Sequence, residues 1–121
     1  MYIDEIEWLD KEGKEAIVKV ANNANILRCF SCPCTYNIGD VLTEPLECLD
    51  VQNIILCETN ENSIEKQGDT FKYKLKGEVK DVQNGIVKVF DFELHIDEEC
   101  IPDDILNGMH IRFSVSRIDI W

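Results

Sequence analysis

One segment of the chain restricts its fold more than any other. Residues 71–82 and 86–96 alternate apolar with polar side chains, and Asn84-Gly85 stands between them. Asn-Gly between two alternating runs is the strongest short-range signal of a β-hairpin, because both residues accept a positive φ. From residue 90 onward every second side chain is apolar, so one face of the second strand is predicted to belong to the core. The second half of the chain therefore contains a predicted antiparallel hairpin.

Shorter β-prone runs occupy much of the remaining chain. Residues 15–20 and 25–30 are separated by two asparagines that tolerate left-handed turn geometry, which predicts another hairpin. A last strand is predicted over residues 109–121, with a bulge near Ser116 that would repair a change in its apolar parity. A turn of helix is predicted only over residues 102–106. We therefore predict an all-β or mainly β fold.

The two halves of the chain share a layout that predicts an internal pseudo-repeat, over residues 15–57 and 70–121. In each half a hairpin is followed by a strand that begins after a glycine, Gly39 in the first and Gly108 in the second. Two such units predict a small barrel, or two half-barrels that share one core. A length of 121 residues is common for one domain, so we expect a single domain over residues 1–121.

The charge of the chain limits its partners. With 24 acidic against 12 basic residues the net charge is −12, which repels nucleic acid and anionic lipid and attracts basic surfaces. Residues 1–65 alone carry a net charge of −9. The chain has no apolar stretch of the roughly 18 residues that a membrane helix needs, and no export signal is visible. We therefore expect a cytoplasmic protein with reduced cysteines and no membrane partner, for which the charge disfavours nucleic acid as a partner.

Four short phrases carry a resemblance to known proteins. They are Cys-Phe-Ser-Cys-Pro-Cys at 29–34, Ile-Gly-Asp-Val-Leu at 38–42, Ile-Pro-Asp-Asp-Ile at 101–105 and Phe-Ser-Val-Ser-Arg-Ile-Asp at 113–119. In these phrases the chain resembles a group of small, acidic, uncharacterised bacterial proteins with no assigned activity. Its β-rich layout also resembles small barrels of the oligonucleotide-binding (OB) type. This resemblance implies an OB-like small barrel and no particular function, because such barrels serve many unrelated purposes.

The beginning of the chain holds the candidate interaction surface. An acidic and partly aromatic surface suits a basic protein partner, because opposite charges accelerate encounter. The residues expected to form it are Asp4, Glu5, Glu7 and Trp8. No phosphate-binding loop, nucleophile elbow or paired-carboxylate motif occurs, so we expect no enzyme and no cofactor. The expected function is a non-catalytic protein-interaction module, one form of which is an immunity-type inhibitor of a basic toxin or nuclease.

A run of lysines supports an alternative function. In an OB-like barrel, a basic strand face can contact single-stranded nucleic acid. The candidate residues for this face are Lys72, Lys74, Lys76 and Lys80. The alternative function is a small-barrel nucleic-acid or ribonucleoprotein accessory protein.

Cysteine and histidine side chains support a further alternative, a thiolate metal-binding protein. Cys29, Cys32 and Cys34 form a Cys-x-x-Cys-x-Cys pattern that holds zinc or copper when a fourth ligand joins it, although no second Cys-x-x-Cys completes the set. His95 and His110 are both predicted to face outward, and they would form an acid–base or metal pair if their strands were neighbours.

Overall fold

A computed structural model of the protein describes residues 1–120, and its regular structure is built of β-strands. The described residues contain one helical segment, a 3-10 turn at Glu98–Cys100. The strands are β1 (Tyr2–Asp10), β2 (Glu15–Ala21), β3 (Ile26–Ser31), β4 (Leu46–Leu49), β5 (Gln52–Leu56), β6 (Ser63–Lys66), β7 (Tyr73–Asp81), β8 (Ile86–Val89), β9 (Phe92–His95), β10 (His110–Val115) and β11 (Arg117–Asp119). The predicted all-β fold is confirmed. Nowhere in residues 1–120 is a helix long and apolar enough to cross a membrane.

All eleven strands belong to one sheet with an unusual order. Neighbouring strands follow the path β1-β2-β3-β11-β4-β9-β8-β7-β10-β5, and β6 pairs with β7 beside it. Most pairs are antiparallel, whereas β11 with β3 and β4 with β9 are parallel. The pairings run from β1 at one end to β5 at the other and do not close, so the barrel layout stays a prediction.

The hairpin predicted over residues 71–96 forms, but its second strand is interrupted. Residues 86–96 are two antiparallel strands, β8 and β9, joined by a tight turn at Phe90 and Asp91 with φ of 45° and 69°. The alternation rule placed Phe90 in the core, and this was wrong because its ring lies in the turn and is 39% exposed. From Phe92 onward the apolar face is buried as predicted.

Three other expectations are refined. The last predicted strand is divided at Ser116, the position of the expected irregularity, into β10 and β11. Trp121, its predicted last residue, lies outside the described residues. Residues 58–69, for which no strand was predicted, contain β6, which pairs with β7. Residues 102–106 form a turn without helical assignment, in which the Ile105 N–H donates to the Pro102 carbonyl at 3.0 Å.

One hydrophobic cluster joins both halves of the chain. Ile3, Val18 and Leu27 from the first half and Val79 and Phe92 from the second are all fully buried within it. Burying a side chain of this size contributes about 1.5–3 kcal/mol relative to leaving it in water. The core therefore packs β1–β3 against β7–β9. The strand faces that point away from the core, and the edges of the sheet, are the surfaces where a functional site can lie.

Candidate functional site

The predicted acidic residues all lie on β1, the strand at one end of the sheet. Asp4, Glu5, Glu7 and Trp8, which we call the acidic edge, are all exposed. The Trp8 side chain is 38% exposed, and Leu9 beside it is 52% exposed. Trp8 lies opposite Ala16 on the same face as the partly buried Ile6, whereas Glu5 and Glu7 point to the other face. The structure therefore places the predicted residues on one strand but on both of its faces.

The outer backbone edge of β1 is open. At its beginning the Ile3 N–H donates to the Asp40 carbonyl and the Gly39 N–H donates to the Ile3 carbonyl, both at 2.8 Å. Beyond Ile3, no backbone hydrogen bond joins this edge to any other part of residues 1–120. Alternate residues of an antiparallel strand turn their backbone groups away from the neighbour, and the register with β2 gives this orientation to Ile6 and Trp8.

The charges of the acidic edge are only partly compensated. Lys19 of β2 lies directly opposite Glu5, and its Nζ is 2.8 Å from the Glu5 carboxylate. The hydrogen bond that Lys19 donates to the Glu5 carboxylate raises the pKa of Lys19, with smaller contributions from the charges of Asp4 and Glu7. Within the described chain, no cation forms an ion pair with Asp4 or Glu7. This edge therefore retains uncompensated negative charge.

The predicted lysine face is divided by the fold. Lys74 and Lys76 line a cavity of about 480 Å³ over strands β5, β6, β7 and β10. Lys80 forms an ion pair with Glu78, which lowers the pKa of Glu78. Lys72 lies at a separate depression beside Arg117. The four lysines therefore do not form one continuous track.

A cation that sequence reasoning missed completes the cluster around Lys76. Arg112 on β10 lies directly opposite Lys76, and both line the same cavity with Ser63 and Ser114. Arg112 was missed because its distance from Lys76 is set by the pairing of β7 with β10, which a single sequence does not specify. The outward parity of Arg112 on its strand was the only available signal.

Two other arginines are occupied by structural contacts. The Arg28 guanidinium lies 4.5 Å from the centre of the Phe71 ring, and Arg117 lies 4.3 Å from the centre of the Phe30 ring. Arg117 also donates from Nε and Nη2 to the two carboxylate oxygens of Asp119, at 2.6 and 2.9 Å, which raises the Arg117 pKa. The Arg117–Phe30 contact joins β11 to β3, and the guanidinium groups of Arg28 and Arg117 are both engaged by neighbouring side chains.

The cysteine pattern does not form a ligand set. Cys29 and Cys34 are buried whereas Cys32 is exposed, and the Cys32 Sγ lies 3.7 Å from the Gly13 carbonyl oxygen. Burial raises the pKa of Cys29 and Cys48 well above their usual range, which disfavours the thiolate that a metal needs. No group of three or more His, Cys, Asp or Glu residues within 1–120 is arranged to hold a metal ion. The alternative metal site thus gains no support from the geometry.

The two histidines lie in different cavities. His95 on β9 is the parallel neighbour of Glu47 on β4, and its Nδ1 is 2.7 and 2.8 Å from the two Glu47 carboxylate oxygens. Its Nε2 lies 3.7 Å from Glu98. His110 is nearly buried and lies opposite Glu78 on β7. The expected meeting of the histidines does not occur, because their strands are separated by β8 and β7.

Comparison with known proteins gives no family or relative for this chain. No protein-family model, no curated protein and no solved structure matches it significantly. Function is therefore inferred from the two surfaces described above.

Proposed function

We propose that this protein is a non-catalytic interaction module of the cytoplasm that binds a basic protein partner. The partner contributes an extended segment that pairs with the open edge of β1. The observation that carries the proposal is the coincidence of a backbone edge that is unpaired beyond Ile3 with the acids Asp4 and Glu7, neither of which forms an ion pair within residues 1–120. Edges of this kind accept an added strand through main-chain hydrogen bonds, and side chains then determine which strand binds.

Strand addition accounts for the arrangement of the acidic edge better than a flat contact does. Glu5 and Glu7 point to one face of β1 and Trp8 points to the other, so a partner lying on either face reaches only part of the surface. A strand beside β1 presents alternate side chains to both faces. Its basic residues would then meet Glu5 and Glu7, and its apolar residues would pack on Trp8.

Charge makes encounter with such a partner fast. The net charge of −9 in residues 1–65 attracts a basic protein at distances up to about the Debye length, near 8 Å in physiological salt. A basic toxin or nuclease is a partner of this kind. If one of its segments paired with β1, the anion-binding cleft of the toxin or nuclease would lie against the acidic edge. Immunity-type inhibition is therefore the form of the function that we favour.

Hydrogen exchange of the backbone amides tests this proposal. The probe is a synthetic peptide of alternating lysine and valine, added to the intact protein and followed by NMR. In the free protein the amides of Ile6 and Trp8 should exchange rapidly, whereas those of Glu5 and Glu7, which face β2, should be protected. In the complex the Ile6 and Trp8 amides should become protected. Binding without this protection would contradict the proposal.

Two matched pairs of variants separate backbone pairing from charge. Trp8→Ala and Trp8→Pro both remove the indole, but only the proline also removes the outward N–H, so the proline variant should bind more weakly. Charge reversal at Asp4 and Glu7 should slow association more than it accelerates dissociation. Reversal at the exposed Asp103 and Asp104 changes the net charge equally and should have a smaller effect. Equal effects of both reversals would remove the acidic edge from the proposal.

A further inference from the structure

The second half of the molecule contains a cavity with an unusual charge. We call it the basic groove, and it is lined by Lys74, Lys76 and Arg112 together with Ser63, Ser114 and Glu65. Its volume is about 480 Å³. The four strands below it place these side chains in two rows, with Ser63, Lys76 and Arg112 in one row and Glu65, Lys74 and Ser114 in the next.

Among the described residues, the cations of the basic groove have no carboxylate within ion-pair distance. None of Lys74, Lys76 and Arg112 forms an ion pair with another residue of the described chain. Glu65 is the cross-strand neighbour of Lys74, yet the two are not within ion-pair distance. In a protein with 24 acids and 12 bases, three neighbouring cations that form no ion pair within residues 1–120 are unexpected from composition, even with Glu65 in the same lining.

The position of Lys76 opposes stability. It lies directly opposite Arg112 in the antiparallel pair of β7 and β10, and like charges at such positions repel each other. An anion between the two side chains would attract both of them and so offset this repulsion. The planar guanidinium of Arg112 matches two phosphate oxygens, the lysines neutralise the charge, and the Ser63 and Ser114 hydroxyls are further donors.

We infer that the basic groove binds the phosphate group of a small, hydroxylated phosphate monoester. The ligand is small because the positive surface ends at the Glu78–Lys80 ion pair, and because Lys72 belongs to a different depression. Phe113, the aromatic residue of this cavity, is 2% exposed and offers no ring on which a nucleobase of a single strand would stack. Glu65, the cross-strand neighbour of Lys74 in the lining, repels a second phosphate and accepts hydrogen bonds from hydroxyl groups.

NMR titration of the intact protein tests the inference. The probes are inorganic phosphate, ribose 5-phosphate, ribose and a short oligothymidylate. Phosphate and ribose 5-phosphate should bind saturably and shift the Arg112 Nε–Hε and Lys76 amide signals, with ribose 5-phosphate the tighter of the two, whereas ribose alone should not bind. Tighter binding of inorganic phosphate than of ribose 5-phosphate would overturn the monoester, and absence of saturable binding by both would overturn the site.

Charge-matched variants make the test specific. Lys76→Gln and Arg112→Gln should each weaken binding of ribose 5-phosphate by about tenfold or more, as expected for the loss of a charge-assisted contact. Lys80→Gln removes the same charge from a lysine that is already paired with Glu78, and it should change binding less than about twofold. Similar losses in all three variants would show a diffuse charge effect and contradict the site.

Oligothymidylate distinguishes the small ligand from a nucleic acid. If it binds more tightly than ribose 5-phosphate, and if Lys72→Gln and Lys80→Gln weaken it as strongly as Lys76→Gln, the inference is wrong and a nucleic-acid surface replaces it. Melting temperatures within a few degrees of the parent protein show that each variant is folded. Because β1 is absent from the basic groove, failure here leaves the proposed function of the acidic edge unchanged, and the converse also holds.

Discussion

Strands β1 and β7 have the same backbone contacts at one position and opposite surroundings elsewhere. In β1 the Ile3 N–H donates to Asp40 and its carbonyl accepts from Gly39; in β7 the Val79 N–H donates to Met109 and its carbonyl accepts from Gly108. All four distances are 2.8 Å. Gly39 and Gly108 have φ of 93° and 90°. This geometry relates β1 to β7, whereas the predicted pseudo-repeat had matched the hairpin of residues 15–30, formed by β2 and β3, with the hairpin that begins with β7.

The surroundings of the two strands explain their different surfaces. From Tyr73 to Glu78, β7 is covered on one side by β10, and β6 and β8 share its other side. By contrast, β1 continues for seven residues beyond Ile3, and over these residues β2 is the one strand of residues 1–120 that pairs with it. One strand thus offers backbone groups and the other offers only side chains. An open edge suits pairing with a polypeptide, and a covered strand suits a cavity lined by side chains.

The comparison of β1 with β7 is tested most strongly by the lengths of their hairpins. Strand β1 continues to Asp10 before the chain turns into β2, whereas the β7–β8 hairpin turns directly after Asp81. Gly85 lies within that turn and has φ of 68°. A Cβ on Gly85 would lie 2.0 Å from the Ile96 carbonyl oxygen. We expect Gly85→Ala to lower the free energy of unfolding by about 3 kcal/mol or more, from left-handed strain plus displacement of the backbone of residue 96. Urea unfolding measures this loss.

The matched control for Gly85→Ala is Gly68→Ala. Gly68 also has a positive φ, of 60°, but no atom lies within 4 Å of its added Cβ. The control should cost about 1–2 kcal/mol, which is the conformational strain alone. If both variants lose the same stability, the contact with Ile96 does not limit the length of the β7–β8 hairpin.

Equal stability losses at Gly39 and Gly108 are the next expectation. Both glycines have nearly the same positive φ, and an added Cβ meets no atom within 4 Å at either position. Gly39→Ala and Gly108→Ala should therefore each cost about 1–2 kcal/mol of unfolding free energy in urea titrations. A difference above about 1 kcal/mol would show that the two halves tolerate strain differently, and the equivalence of β1 and β7 would then be limited to hydrogen-bond geometry.

Much of the fold was predictable because its signals are local. Asn84-Gly85 predicted a hairpin that forms, and the alternation after Phe90 predicted a buried face that exists. The turn at Phe90 was not predictable, because distant side chains hold it. The Phe90 N–H donates to the Asn62 Oδ1 at 3.2 Å, and the Asn22 side chain donates to the Phe90 carbonyl. These contacts span 28 and 68 residues of sequence.

Each candidate site also has features that the local sequence predicts and features that depend on distant strands. The acidic edge was predictable as residues, since all four of its members follow one another closely in the sequence. Its open backbone was not, because the end position of β1 depends on the order of all eleven strands. The basic groove needed the pairing of β7 with β10 before Arg112 could be placed beside Lys76.

Pairs of charged side chains on neighbouring strands should give the smallest changes in the free energy of unfolding. Glu5 faces Lys19 between β1 and β2, an opposite-charge pair, whereas Lys76 faces Arg112 between β7 and β10. Removal of either groove cation should relieve repulsion, so Lys76→Gln and Arg112→Gln should each raise the free energy of unfolding by about 0.5 kcal/mol. Glu5→Gln should instead lower it. Urea unfolding at low and high salt measures all three effects, which should shrink together as salt screens exposed charge.

A double-mutant cycle then assigns the stability gain to the pair. Once Lys76 is neutral, the repulsion is gone, so adding Arg112→Gln should produce little further gain and the two effects should not add. The control is Lys66→Gln, which removes a charge from an exposed lysine of β6 that forms no ion pair within residues 1–120; in an acidic protein this loss should not stabilise. Fully additive gains, or stabilisation by Lys66→Gln, would mean that Lys76 and Arg112 do not repel each other across the strands. The same substitutions that weaken phosphate binding should therefore stabilise the free protein, because the groove holds its cations together at a cost that only an anion offsets.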